Sequence, residues 1–184
     1  MNLEKLFATQ KKLDEHILDE HPTKEGENRL TKKILALQVE LGELANELPE
    51  VFKFWSKKKN NYKRALEEYV DCLHFILSIG LEKKKFIDFE MELKATFDID
   101  AVDLIVYKDE TIEAQFNNLF LEIGVLYDAI YGCAYDINNE FESYSNVFSY
   151  FIGLGEMLGF TWEQIEQAYF AKNKVNHQRQ EDGY

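Results

Sequence analysis

Apolar and polar residues along this chain repeat with a helical period over long stretches, divided by short breaks. Leu3, Leu6, Leu13 and Ile17 mark one face of a first helix over about 2–18, and His21-Pro22-Thr23 ends it. Leu30, Ile34, Leu37, Leu41 and Leu44 step by 4, 3, 4 and 3 residues. That predicts a second helix over about 27–47, with Pro49 just past its end. The stretch Val51-Phe-Lys-Phe-Trp-Ser-Lys-Lys-Lys reads as a loop or a short turn of helix. A third helix is predicted over about 61–81, with Leu66, Val70, Leu73, Ile76 and Leu77 as core. Between Glu82 and Tyr107 no period holds, and a short helix plus an extended stretch would fit. Periodicity returns with Ile112, Phe116, Leu119, Ile123, Leu126 and Ile130, and another helix covers about 140–158. Gly159-Phe160-Thr161 then punctuates, and Thr161-Trp-Glu-Gln164 has the form of a capping box opening a last helix that reaches at least Arg179. The pattern predicts an all-α bundle forming one domain over residues 1–184, without repeats or a linker.

Composition sharpens this picture. With 46 % hydrophobic residues, 14 Phe and 10 Tyr, the chain has the means to build a core. Only 2 Pro and 9 Gly are too few for the frequent turns of an all-β protein. The net charge of −13 repels phosphate backbones and anionic lipid, which argues against a nucleic-acid or membrane binder. A phosphorylated substrate would need cations and a local basic patch. Met1-Asn-Leu-Glu-Lys-Leu-Phe lacks a signal-peptide core, and no apolar run nears the roughly 18 residues that span a bilayer. Cys72 and Cys133 sit in apolar helical surroundings without flanking cations, as reduced thiols in a cytoplasmic protein would.

Chemistry is concentrated in two acidic pairs. Glu40-Leu-Gly-Glu43 lies on the second predicted helix and Glu68-Tyr-Val-Asp71 on the third. Residues three apart share a helix face, and both pairs border an apolar stripe. If the two helices are antiparallel neighbours, the pairs face each other. Carboxylates about 6 Å apart repel by roughly 2–3 kcal/mol per pair at an effective dielectric near 20. A divalent cation relieves that repulsion, and an all-oxygen shell favours Mg²⁺ or Mn²⁺ over zinc. One Glu-x-x-Glu alone usually marks a solvated face; two such pairs on consecutive helices are a stronger signal.

The last helix supplies the opposite charge. Its inward stripe begins with Ile165, Ala168 and Tyr169 and continues as Lys172, Asn176 and Arg179, passing from core to cation within three turns. A basic bias at a helix C-terminus is common, but alignment with the core stripe is not required by the helix dipole. Phe75 follows Asp71 by one turn, and Trp55 stands among lysines. Either aromatic could pack on a sugar or base, or simply anchor the fold. Asp71-x-x-His74 is the one carboxylate-x-x-His here, whereas di-iron bundles need a Glu-x-x-His on each of two helices; His74 reads as structural.

Together these residues closely resemble the dimeric, all-α dUTP diphosphatases, relatives of the MazG-type nucleoside triphosphate pyrophosphatases. The superfamily places Glu-x-x-Asp about 25 residues after Glu-x-x-Glu, and Glu43 and Glu68 are 25 apart. Further matching segments are Phe52-Lys-Phe-Trp55, Glu68-Tyr-Val-Asp71-Cys-Leu-His74-Phe75, and the tail from Lys172 to Tyr184. Gln10-Lys-Lys-Leu-Asp14 is similar to the family's first motif, in which some members carry Asn at the place of Asp14.

The resemblance implies Mg²⁺, with Mn²⁺ as a substitute, held by Glu40, Glu43, Glu68 and Asp71, with Glu43 also deprotonating the attacking water. It implies Lys172 and Arg179 on the triphosphate, Asn176 on the nucleotide, Gln10 and Trp55 at uracil, Phe75 against the deoxyribose, and a binding role for Asp14. The products would be dUMP and pyrophosphate, dUDP being a further candidate substrate, and the protein would be a homodimer. It also implies a rigid metal-binding core of about 1–81 with 161–184, and a variable, mobile helical part of about 82–158. The alternatives are a pyrophosphatase of the same fold acting on another triphosphate such as dCTP, and a non-catalytic acidic interaction protein.

Overall fold

The computed structural model describes residues 2–82, 106–132 and 137–183, with the side chains of 137–139 left aside. All regular structure among the described residues is helical. In chain order the helices are α1 (Leu3–Glu20), α2 (Arg29–Asn46), α3 (Pro49–Phe52), α4 (Tyr62–Glu82), α5 (Ile112–Tyr131), α6 (Ile137–Met157) and α7 (Trp162–Glu181). They form two compact units, Met1–Ile79 with Phe160–Tyr184, and Gly80–Gly159. The expectation for residues 83–105 and the surroundings of Cys133 lie outside the described residues. No helix among the described residues is long and apolar enough to cross a membrane.

The caps explain where the helices begin. The Asn2 side chain accepts from Lys5 N and starts α1; Pro22 cannot continue it, and His21 N–H closes the last turn on Ile17 O. Asn28 caps α2 by accepting from Thr31 N, so the helix begins at Arg29, two residues later than the hydrophobic pattern suggests. Glu27 is used in the preceding turn instead, bonded to Lys24 N, Arg29 and Lys32. The capping box on α7 is present in full: Thr161 Oγ1 accepts from Gln164 N, and Gln164 Oε1 accepts from Thr161 N.

In the first unit, α2 buries Leu30, Ile34, Leu37, Leu41 and Leu44, the stripe of its sequence. Helix α4 behaves differently. From Glu68 to Ile79 nearly every residue is buried, including Tyr69, Cys72 and Ile76, while Leu66 is only half-buried and stands outside the core expected of it. A helix covered on most sides has no single stripe to read, and Ala65 and Tyr69 take the place assigned to Leu66. Past α2, Pro49 opens α3, and Asn61 N donates to Glu47 O at 2.8 Å, which returns the chain to α2 for the start of α4. Helices α1 and α7 run parallel: Asn2 N meets Glu166, Lys5 sits over the Phe170 ring, and Tyr169 Oη reaches Leu6 O.

In the second unit, α5 and α6 bury Phe116, Leu119, Ile123 and Leu126 with Phe148, Phe151 and Leu154. The fully buried Gln115 secures the segment before α5: its Oε1 accepts from Asp109 N, and its Nε2 donates to Tyr107 O and Tyr150 O, each at 2.7 Å. Gly153 of α6 lies so close that a Cβ there would fall 1.9 Å from Tyr107 O, which leaves room only for glycine.

Candidate active site

Three of the four expected acids converge. Glu40 of α2 and Glu68 and Asp71 of α4 each offer a carboxylate oxygen, and these lie within 4.8 Å of one another. Each acid sits where its helix passes from core to surface, because the neighbours that fix helix orientation, Leu37 and Leu41 on α2 and Val70 and Leu73 on α4, are buried. Glu43, one turn beyond Glu40, is exposed and outside this triangle. Its charge still raises the proton affinity of Glu40, Glu68 and Asp71, so the four act as one electrostatic group.

Partial burial and mutual repulsion shift these acids upward. Glu40 is pushed to about 7, first by burial and then by the charges of Asp71, Glu43 and Glu68. Burial also raises Glu68, against the pull of Arg64, whose Nη2 donates to Glu68 Oε1 at 2.8 Å. In Asp71 burial outweighs Lys172, although Lys172 Nζ donates to Asp71 Oδ2 at 2.5 Å. Three clustered carboxylates, one of them nearly buried and all raised, form an oxygen-only donor set that fits a hard divalent cation.

The cationic stripe of α7 meets this cluster. Lys172 pairs with Asp71, and the Arg179 charge also lowers the Asp71 proton affinity. Asn176 Oδ1 accepts from Arg179 Nη1 at 3.4 Å, so all three expected residues occupy one flank of the helix. Asn173, which the sequence pattern passes over, is buried with Nδ2 lacking a partner. Its place one turn after Tyr169 on the inward stripe was the available signal. The Arg64–Glu68 pair was legible in the same way, as residues four apart on α4.

The remaining expected residues lie elsewhere. Gln10 is only 3 % exposed and centres a hydrogen-bond network: Oε1 accepts from Tyr169 Oη at 2.9 Å and from His74 Nδ1 at 2.7 Å, while Nε2 donates to Asp14 Oδ1 at 2.7 Å. Asp14 Oδ2 accepts from Ser78 Oγ at 2.6 Å and faces Lys33 at 3.6 Å. His74 stacks on Tyr169 with ring centroids 4.2 Å apart. Since Nδ1 donates, Nε2 is the bare nitrogen, and it has no partner of hydrogen-bond geometry. Burial, and then the Lys172 ammonium, push His74 down to about 3 against a pull from the Tyr169 backbone, so the ring is neutral and structural. Phe75 is half-buried one turn past Asp71. Trp55 is 68 % exposed and packs edge-on against Phe54, and no contact among the described residues links it to the acids. Cys72 is fully buried with its thiol raised well above the usual value, first by burial, which excludes it as a nucleophile.

Comparison with known proteins gives the chain a family. No curated protein matches the chain. The family model described as dUTPase matches residues 2–184, nearly the whole chain. The chain therefore belongs to the all-α dUTPase family, the enzymes that hydrolyse dUTP.

Proposed function

We propose that the protein is a Mg²⁺-dependent dUTP diphosphatase that converts dUTP and water to dUMP and pyrophosphate. The observation that carries this reading is the triangle of Glu40, Glu68 and Asp71 with Lys172 and Arg179 beside it. An acidic cage for cations next to a cationic stripe is what a triphosphate requires in a protein of charge −13. Glu40, Glu68 and Asp71, with Glu43, would hold Mg²⁺ or Mn²⁺, which polarises phosphoryl oxygens and acidifies bound water.

Each chain residue then has a task that follows from its place. Glu43 is exposed and outside the tight triangle, which suits it to orient a water and accept its proton as the new P–O bond forms and the bridging P–O bond breaks. Lys172 and Arg179 neutralise the triphosphate, Lys172 exchanging Asp71 for a phosphate oxygen, and Asn176 contacts the nucleotide. Phe75, half-buried beside Asp71, offers its ring to the deoxyribose. The exposed Trp55 supplies a flat face to uracil once the nucleotide is bound. Gln10 and Asp14 serve the uracil end by holding α1 against α4 through His74 and Ser78. The protein works as a homodimer in the cytoplasm.

Turnover of dUTP, dUDP, dTTP, dCTP and UTP, read as pyrophosphate from the triphosphates and orthophosphate from dUDP, with and without Mg²⁺, tests the reading. It expects turnover only with the metal and a preference for dUTP over dTTP and UTP. Preference for dCTP would move the substrate while keeping the chemistry, and no metal-dependent release from any triphosphate would end the proposal.

A further inference from the structure

Near their C-terminal ends the parallel helices α1 and α7 meet through two histidines that the proposed reaction does not use. His16 Nδ1 and His177 Nδ1 lie 2.7 Å apart, with the rings end to end, their centroids 5.0 Å apart and their planes 23° apart. At that separation only one of the two nitrogens can carry a proton, so at least one ring presents a lone pair to the other. Burial, then the neighbouring His16, also holds His177 below the usual imidazole range, against the pull of Glu181. Neutral imidazoles are the form that binds a metal.

The sequence around the pair repeats on both helices. Glu20 follows His16 by four residues, and Glu181 follows His177 by four. Residues four apart share a helix face, and because the helices are parallel both carboxylates fall on the same side of the pair, one turn toward the C-termini. Gln180, also one turn beyond His177, carries a buried Oε1 without a partner, an acceptor suited to a ligand's water. Glu20 and Glu181 are exposed and, as they stand, do not join the histidines in a group of three donors within 4.8 Å. Turned toward the pair, they would complete a borderline donor set, suited to Zn²⁺ and not to Mg²⁺. With Zn–N near 2.0–2.1 Å, tetrahedral geometry sets the two nitrogens about 3.3 Å apart, so a small opening of the pair would admit the ion.

We propose that His16 and His177, with Glu20 and Glu181 completing the shell, form a zinc-type transition-metal site. It staples the last helix to the first and is separate from the oxygen-only cluster of α2 and α4. The site would fix the helix that carries Lys172, Asn176 and Arg179, and it stands whether or not dUTP is the substrate.

Zinc titration of the full chain in saturating Mg²⁺, followed by calorimetry and thermal unfolding, tests it. The expected result is one zinc per chain and a raised midpoint. His16→Ala and His177→Ala should weaken binding by at least about ten-fold and remove the shift. Glu181→Gln should weaken it less, and Glu40→Gln should leave it in place. If the alanine variants do not fold, one equivalent of Cu²⁺ on the unaltered chain gives the same answer by electron paramagnetic resonance, with coupling to two imidazole nitrogens expected. A zinc shift that survives both histidine substitutions, or Cu²⁺ coupled to fewer than two nitrogens, would reduce the pair to a hydrogen-bonded contact and overturn the proposal.

Discussion

Helix α4 carries two polar clusters about a turn apart, and they are built on opposite principles. Around His74 and Ser78 every bond is internal: Gln10 receives the Tyr169 hydroxyl and the His74 imidazole, and Asp14 receives Gln10 and Ser78. Around Glu68 and Asp71 like charges are held together, and Glu40 rises to about 7 in consequence. The first cluster closes on itself, with only the His74 Nε2 left unbonded. The second is left frustrated by the fold, and frustration of that kind suits the cation and substrate of the proposed function. On the proposed function, the difference separates residues that hold helices from residues that would do chemistry.

The largest expected break in this contrast is kinetic. Glu43→Gln should lower the turnover of dUTP by about 10²–10⁴-fold, the range for loss of a general base, while circular dichroism and unfolding remain close to those of the parent. Next in size is Gln10→Ala. It strips the His74 N–H of its acceptor and leaves the Tyr169 hydroxyl only the Leu6 carbonyl at 3.4 Å, which should cost about 2 kcal/mol in urea unfolding. Equal loss from both substitutions, in either assay, would erase the distinction between the clusters.

A smaller effect has the opposite sign. Glu40→Gln should abolish Mg²⁺ binding yet stabilise the metal-free protein by about 1 kcal/mol, once water screening of this half-buried group is allowed for. That is a rise of about 2–4 °C in midpoint for a chain of this size. Mg²⁺ should stabilise the parent protein and leave the variant unchanged.

The two clusters also respond oppositely to pH. Glu40 binds its proton more tightly folded than unfolded, so its contribution to metal-free stability is lost as pH rises from 4.5 to about 7. His74 binds its proton less tightly folded than unfolded, so its contribution is present above 6.5 and is lost as pH falls from there toward 3. Between pH 4.5 and 6.5 the two slopes oppose each other. Relative to the parent, Glu40→Gln should make metal-free stability climb more steeply with pH in that window, and His74→Gln should make it climb less or fall. Each difference is bounded by about 1.4 kcal/mol per pH unit, read from urea midpoints across the window.

Much of this was legible in the sequence where one face of a helix decides everything. The stripes of α2 and α5, the Thr161–Gln164 box and the three-residue spacing of the acid pairs all depend on neighbours within two turns. Long-range partners were not legible. Gln10 finds His74 64 residues away and Tyr169 159 residues away, and no local pattern announces that a glutamine on a surface-like helix is buried. Leu66 was misplaced because α4 is covered on most sides. The exposure of Glu43 beside its converging partners depends on helix rotation, which spacing constrains only within a turn.

The most direct test of the frustrated cluster is the proton balance of Mg²⁺ binding near pH 7, from calorimetry in two buffers of different ionisation enthalpy. With Glu40 near half-protonation there, about half a proton per chain should be released on binding, falling toward zero at pH 9 and absent in Glu40→Gln. Mg²⁺ binding with no proton released at pH 7, or with the same release in Glu40→Gln, would contradict the account.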